Sequence, residues 1–128
     1  MVEQNVGVVR GAYDAFGRGD VPSIIAILHD DVEWHVPAVL PHRFDARGPA
    51  EVARFFERLM ELWDELGVEL ETMAASDDHV VAVGRASGSI QGTKTGFGFA
   101  HVWAIANGRV TGFSEFVDPD EELLALRR

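Results

Sequence analysis

The chain has 128 residues, the size of one ordinary domain able to bury a core without disulfides or metals, and residues 1–128 are read as that single domain. With 47% apolar and 25% charged residues it has the make-up of a folded globular protein, and a formal charge of -10 without a basic cluster argues against nucleic acid and anionic membranes as partners. The absence of Cys excludes disulfides, thiolate metal sites and cysteine nucleophiles.

The opening MVEQNVGVVR has no basic segment followed by an apolar stretch, and no run is long enough to span a bilayer, so a cytoplasmic location is expected. Val6, Val9, Tyr13 and Phe16 recur at spacings of three and four and predict a helix ending around Gly17 to Gly19. Asp20 is placed to cap a second, short helix with Pro22 in its first turn and Ile24, Ile25 and Leu28 on its buried face. Asp30-Asp31 is read as a break, after which Val32, Trp34 and Val36 alternate with Glu33 and His35 in a strand that Pro37 ends. A loop is expected to about Arg47. Gly48-Pro49 then opens a third helix with Val52, Phe55, Phe56, Leu59, Trp63 and Leu66 along one stripe.

Beyond Gly67 the period changes to two, predicting strands near 68–75, 79–90, 97–106 and 109–117. Ser76-Asp77-Asp78, Gly92-Thr93-Lys94 and Asn107-Gly108 separate them, and such short connections favour antiparallel neighbours. Helices first and a meander after them make an α+β domain. No Walker loop, dinucleotide fingerprint or G-x-S-x-G motif occurs, and no close His spacing calls for a metal, although His35, His42, His101 and Glu115 are ligand types that zinc accepts.

Two strands joined at Asn107-Gly108 bring residues at similar distances from the turn face to face, which approximately opposes His101 and Glu115. Such a pair among Phe97, Phe99, Trp103 and Phe113 is suited to carry a proton, or else simply orders the sheet interior. Tyr13 is read as a core residue whose hydroxyl reaches a partner, or as a ligand donor. Glu33 and His35 should face away from any interior that holds Trp34. His42 and Arg43 fall in a loop that is either a lid or plainly solvated, and Arg85 is expected to be buried with an acidic partner.

Four phrases carry a resemblance over nearly the whole chain: YDAFGRGD at Tyr13 to Asp20, DDVEWHVP at Asp30 to Pro37, GPAEVARFF at Gly48 to Phe56, and HVWAIANGRV at His101 to Val110. Together they resemble the SnoaL-like branch of the nuclear transport factor 2-like superfamily. The resemblance implies a cystatin-like cone, with three N-terminal helices packed on a strongly curved, mostly antiparallel sheet that encloses an apolar cavity.

Ketosteroid isomerases of this superfamily would need a carboxylate base where Val36 stands, a tyrosine near Ala12 and an aspartate at His101. Limonene epoxide hydrolases would need an Asp two residues after Arg85, where Ser87 stands. SnoaL-like cyclases fit better: the resemblance places their histidine on His101 and their acid–base carboxylate on Glu115, with Glu replacing the cyclases' Asp.

The expected function is a cofactor-independent lyase or isomerase acting on a small hydrophobic carbonyl compound. Glu115 would remove a proton beside the carbonyl, while His101, helped by Tyr13, would donate to the enolate oxygen. Trp34, Val36, Phe56, Met60, Trp63, Phe99, Trp103 and Phe113 are the expected substrate-binding residues. The alternatives are a non-catalytic binding or assembly module and a hydrolase in which Glu115 activates water. The apolar run Val80, Val81, Ala82, Val83 leads to the expectation of a homodimer paired through the outer face of the sheet.

Overall fold

Helix α1 (Val2–Gly17) buries the stripe built on Val9, and α2 (Val21–Ile25) starts where the Asp20 carboxylate accepts the Ser23 backbone N–H at 3.2 Å. The structure is a computed structural model that describes residues 2–127. Strands β1 (Leu28–Val36) and β2 (Phe44–Arg47) precede helix α3 (Pro49–Leu62). The long meander follows as β3 (Glu65–Ala75), β4 (His79–Ile90), β5 (Thr93–Ala106) and β6 (Arg109–Pro119), and α4 (Glu121–Arg127) closes the chain.

The six strands form one sheet in the order β2-β1-β6-β5-β4-β3, antiparallel throughout except where β1 runs parallel to β6. Helices α1 and α3 lie against it, and the apolar core between them runs from Val9 and Ala12 through Trp34, Phe55 and Phe56 to Trp103 and Phe113. This is the expected α+β cone. Among the described residues no helix is long and apolar enough to cross a membrane.

Several boundaries differ from the sequence reading, each for a local reason. Leu28 and Asp30-Asp31 belong to β1, where the register shifts between Leu28 and Glu33 and three consecutive residues stay exposed; an irregular strand hides its twofold pattern. The expected loop before Arg47 contains β2, four residues paired with β1 from Glu33↔Arg47 to Val36↔Phe44. Helix α3 stops at Leu62, Trp63 is already extended, and Leu66 lies in β3. Leu66 fits the helical spacing from Leu59 and also the alternation with Val68 and Leu70, so the two periods overlap there.

Thr93 and Lys94 are strand residues, because the turn is the pair Gln91-Gly92 at φ 49° and 82°. Asn107-Gly108 turns as expected, at φ 52° and 76°. Arg85 has the expected acidic partner, Asp120, but the pair is on the surface because Arg85 points to the outer side of β4. Helix α4 was not anticipated; it is only seven residues long and is held by the fully buried Leu123.

Candidate functional site

Strict alternation along β5 turns Phe97, Phe99, His101, Trp103 and Ile105 toward the helices. On β6 the inward residues are Val110, Phe113 and Glu115, and the step of three from Val110 to Phe113 marks one extra residue. Pairing passes from Ile105↔Val110 to Ala104↔Gly112, so Thr111 is the bulge. It brings His101 directly opposite Glu115, and the His101 Nε2 to Glu115 Oε2 distance is 2.5 Å. Both residues are buried, at 7% and 6% exposure.

A hydrogen-bond chain converges on that carboxylate from α1. Tyr13 Oη lies 2.5 Å from His101 Nδ1, and Trp103 Nε1–H donates to Tyr13 Oη at 3.0 Å. An indole nitrogen can only donate, so the Tyr13 oxygen accepts from Trp103. Burial drives the Tyr13 hydroxyl's pKa upward; the Trp103 hydrogen bond opposes this and the negative Glu115 adds to it, so the phenol stays neutral. Its single proton has one acceptor in reach, Nδ1 of His101. His101 then carries its proton on Nε2 and donates it to Glu115. The Phe99 ring, stacked on the imidazole with centroids 3.9 Å apart and planes 13° apart, fixes its orientation.

Glu115 closes one side of a cavity of about 80 Å³ whose other walls include Phe16, Trp34, Phe55, Phe56, Leu59, Val68, Phe97, Phe99 and Phe113. An enclosed water needs at least roughly 10–15 Å³ of such space, so the cavity has room for more than one water. Only Trp34 Nε1 and Thr95 Oγ1, among the described residues, are enclosed polar side-chain atoms without a partner. Among the described residues Glu115 Oε1 has no hydrogen-bond partner and is not one of these enclosed atoms, so it opens onto the space that Glu115 lines. The site therefore offers a carboxylate with one oxygen anchored and one free.

His42 also lines this cavity, from the segment between β1 and β2. Two turns, Leu40 N–H to Pro37 C=O at 3.1 Å and Arg43 N–H to Leu40 C=O at 3.2 Å, fold that segment back on the buried Leu40. His42 is left 2% exposed, with Phe97 on one side and Phe55 on another. Trp63 Nε1–H donates to its Nδ1 at 3.1 Å. Burial pushes the imidazole's pKa down to about 4, a shift the negative Glu115 opposes and the positive Arg58 assists.

Of the expected binding residues, Trp34, Phe56, Phe99, Trp103 and Phe113 line the cavity. Val36 is buried at the end of β1 outside the lining, Met60 is 51% exposed on the solvent side of α3, and Trp63 supports His42 without lining the space. Tyr13 and His101 are at the cavity, but the protein occupies both His101 nitrogens and the Tyr13 hydroxyl. The expected donation from His101 to a ligand is therefore replaced by support of Glu115. Glu33 and His35 face outward, paired with Arg47 and Asp45. Among the described residues no three His, Asp or Glu side chains converge as a metal-ligand set. The sequence reading missed His42 and Phe55 as lining residues, while Phe97, read there as a neighbour of the His101–Glu115 pair, lines the cavity with Phe99.

A family profile described as the SnoaL-like domain matches residues 9–113. No curated protein matches the chain. Among solved structures, a nuclear transport factor 2-like protein from Burkholderia thailandensis is 30% identical with a TM-score of 0.86, over 95% of this chain and 95% of that one. A nuclear transport factor 2-like protein of unknown function from Burkholderia pseudomallei is 28% identical with a TM-score of 0.84, over 90% of this chain and 91% of that one. TerC, co-crystallised with polyporic acid, shares the fold at 23% identity and a TM-score of 0.81, over 90% of this chain and 92% of that one.

Proposed function

The chain belongs to the SnoaL-like domain family, and from that premise we propose that it is a cofactor-independent lyase or isomerase that enolises a small hydrophobic carbonyl compound. Glu115 is the base. Its free Oε1 takes a proton from the carbon beside the carbonyl, the C–H electron pair becomes the C=C bond of the enolate, and the C=O π pair moves onto oxygen. The resulting enolate either attacks a second carbonyl in the same molecule, as in the aldol closure of a polyketide cyclase, or is reprotonated at another carbon.

One observation carries this reading: the donor chain from Trp103 through Tyr13 and His101 ends on a buried carboxylate in an otherwise apolar cavity. A fixed carboxylate among aromatic walls is sheltered from water, and its charge is supported by the His101 imidazole, which Tyr13 and Phe99 hold in place. The small aromatic cavity favours small apolar substrates. TerC, which shares this fold, was co-crystallised with polyporic acid. The same proposal includes a homodimer paired across the outer face of the sheet, where Val81 and Val83 stand half-buried. Hydrogen–deuterium exchange at the carbon beside the carbonyl of a one-ring ketone tests the chemistry, because exchange reports enolisation even without ring closure.

A further inference from the structure

His42 has no part in the chain of hydrogen bonds that ends on Glu115, yet among the described residues it is the one other ionisable side chain that meets the cavity apart from Tyr13, His101 and Glu115. Its surroundings define it closely. Trp63 Nε1 can only donate, so His42 Nδ1 is the acceptor of their 3.1 Å bond and cannot carry the proton of a neutral ring. The proton is therefore on Nε2. Among the described residues Nε2 bonds to no protein group, and it is not one of the enclosed unpartnered atoms, so it opens onto space that a ligand can occupy. The space His42 lines is the one into which Glu115 Oε1 opens.

We infer that His42 is a catalytic residue of this site, a neutral imidazole whose Nε2–H donates to the carbonyl oxygen of the substrate and strengthens that hydrogen bond as the oxygen becomes an enolate. The inference rests on the enolisation reading and adds to it the group opposite the base. When Glu115 takes the proton, the electron pair arrives on an oxygen held by a donor already in place, and the proton of His42 stays on His42. Neutrality matters here: a cation would pair with Glu115 and quench the base, whereas a neutral donor leaves the carboxylate free. Burial between Phe55 and Phe97, with Arg58 positive nearby, keeps the ring uncharged against the attraction of Glu115. The arrangement also defines the ligand: one carbonyl or phenolic oxygen on a small apolar frame, with the acidic C–H turned toward Glu115.

The test uses the full chain and para-substituted phenols as probes, since a bound phenolate resembles an enolate in shape and charge. Nitrogen-15 NMR of the free protein should show His42 protonated on Nε2 and unprotonated on Nδ1. Calorimetric affinity for the phenols should fall by about 10-fold or more in His42→Phe, which removes the donor. His42→Gln keeps an oxygen for Trp63 and an N–H for the ligand, and should stay within several-fold of wild type. An Nδ1–H tautomer would overturn the inference, as would equal affinity in wild type and His42→Phe, or failure of wild type to bind any phenol. If His42 shows no effect while ketone exchange proceeds, the base reading stands and the donor falls. If phenol affinity depends on His42 but no exchange occurs, the donor stands and the base reading falls.

Discussion

His101 and Glu115 stand directly opposite each other across β5 and β6 because a bulge at Thr111 absorbs the one residue more that β6 carries between the pair and the turn. Without it the twofold alternation would set Ser114 against His101 and turn Glu115 to the outside of the sheet. Deleting Thr111 makes the counts equal and should leave Glu115 opposite His101 with exchange within several-fold of wild type, whereas one glycine inserted after Thr111 should turn Glu115 outward and cost about 10²-fold or more in exchange rate, while circular dichroism still reports a folded sheet. Full activity in the insertion variant would show that the residue count between the turn and Glu115 does not place the carboxylate.

Removing the Tyr13 hydroxyl tests the donor chain separately from the chemistry. Tyr13→Phe leaves Trp103 Nε1 and His101 Nδ1 buried without partners, at a cost of about 1–3 kcal/mol for each orphaned group. Denaturant titration should show that loss, and exchange should slow by less than it does in Glu115→Gln, because the carboxylate remains. Unchanged stability would mean that the chain of hydrogen bonds does not form in solution.

The depressed pKa of His42 has a signature in the pH dependence of folding. The folded-state value of about 4 lies below the ordinary 6.5, so the unfolded chain binds this proton more readily. The contribution is complete above about pH 6.5, declines as the pH falls toward 4, and levels off below that at a loss of roughly 3 kcal/mol. Stability measured between pH 7 and 4 should fall more steeply in wild type than in His42→Gln, which has no titrating ring. Parallel curves would contradict the buried neutral imidazole.

The outer face of the sheet supplies the test of assembly. Val102 sits between Val81 and Ser114 at the centre of that face. Sedimentation equilibrium should show a dimer for wild type and mostly monomer for Val102→Glu, which places two like charges against each other across the pairing axis in a chain already at -10. A monomeric wild type at micromolar concentration would end the dimer proposal.

How far the sequence reveals the site depends on how local each cause is. The Asn107-Gly108 turn and the alternation of Phe99, His101 and Trp103 are local, and they bring out the His101–Glu115 pair despite the uneven count around the turn. The position of His42 is not local. Its inward turn depends on Leu40 as an anchor and on the Trp63 indole, twenty-one residues away, as a donor. Trp63 itself fits a helical stripe until the chain leaves α3 at Leu62. The partners of Tyr13 are hidden for a similar reason: the indole of Trp103 lies ninety residues from the hydroxyl it bonds.

Deuterium incorporation at the carbon beside the carbonyl of a one-ring ketone, compared between wild type and Glu115→Gln, tests the central claim most directly. The glutamine keeps the shape of the side chain and removes its basicity. Wild type should catalyse exchange, and Glu115→Gln should bind the ketone within several-fold of wild type while exchanging about 10²-fold more slowly or worse. Tight ketone binding by wild type without exchange, or undiminished exchange in Glu115→Gln, would contradict the account and leave the domain as a module that binds a ligand and does not transform it.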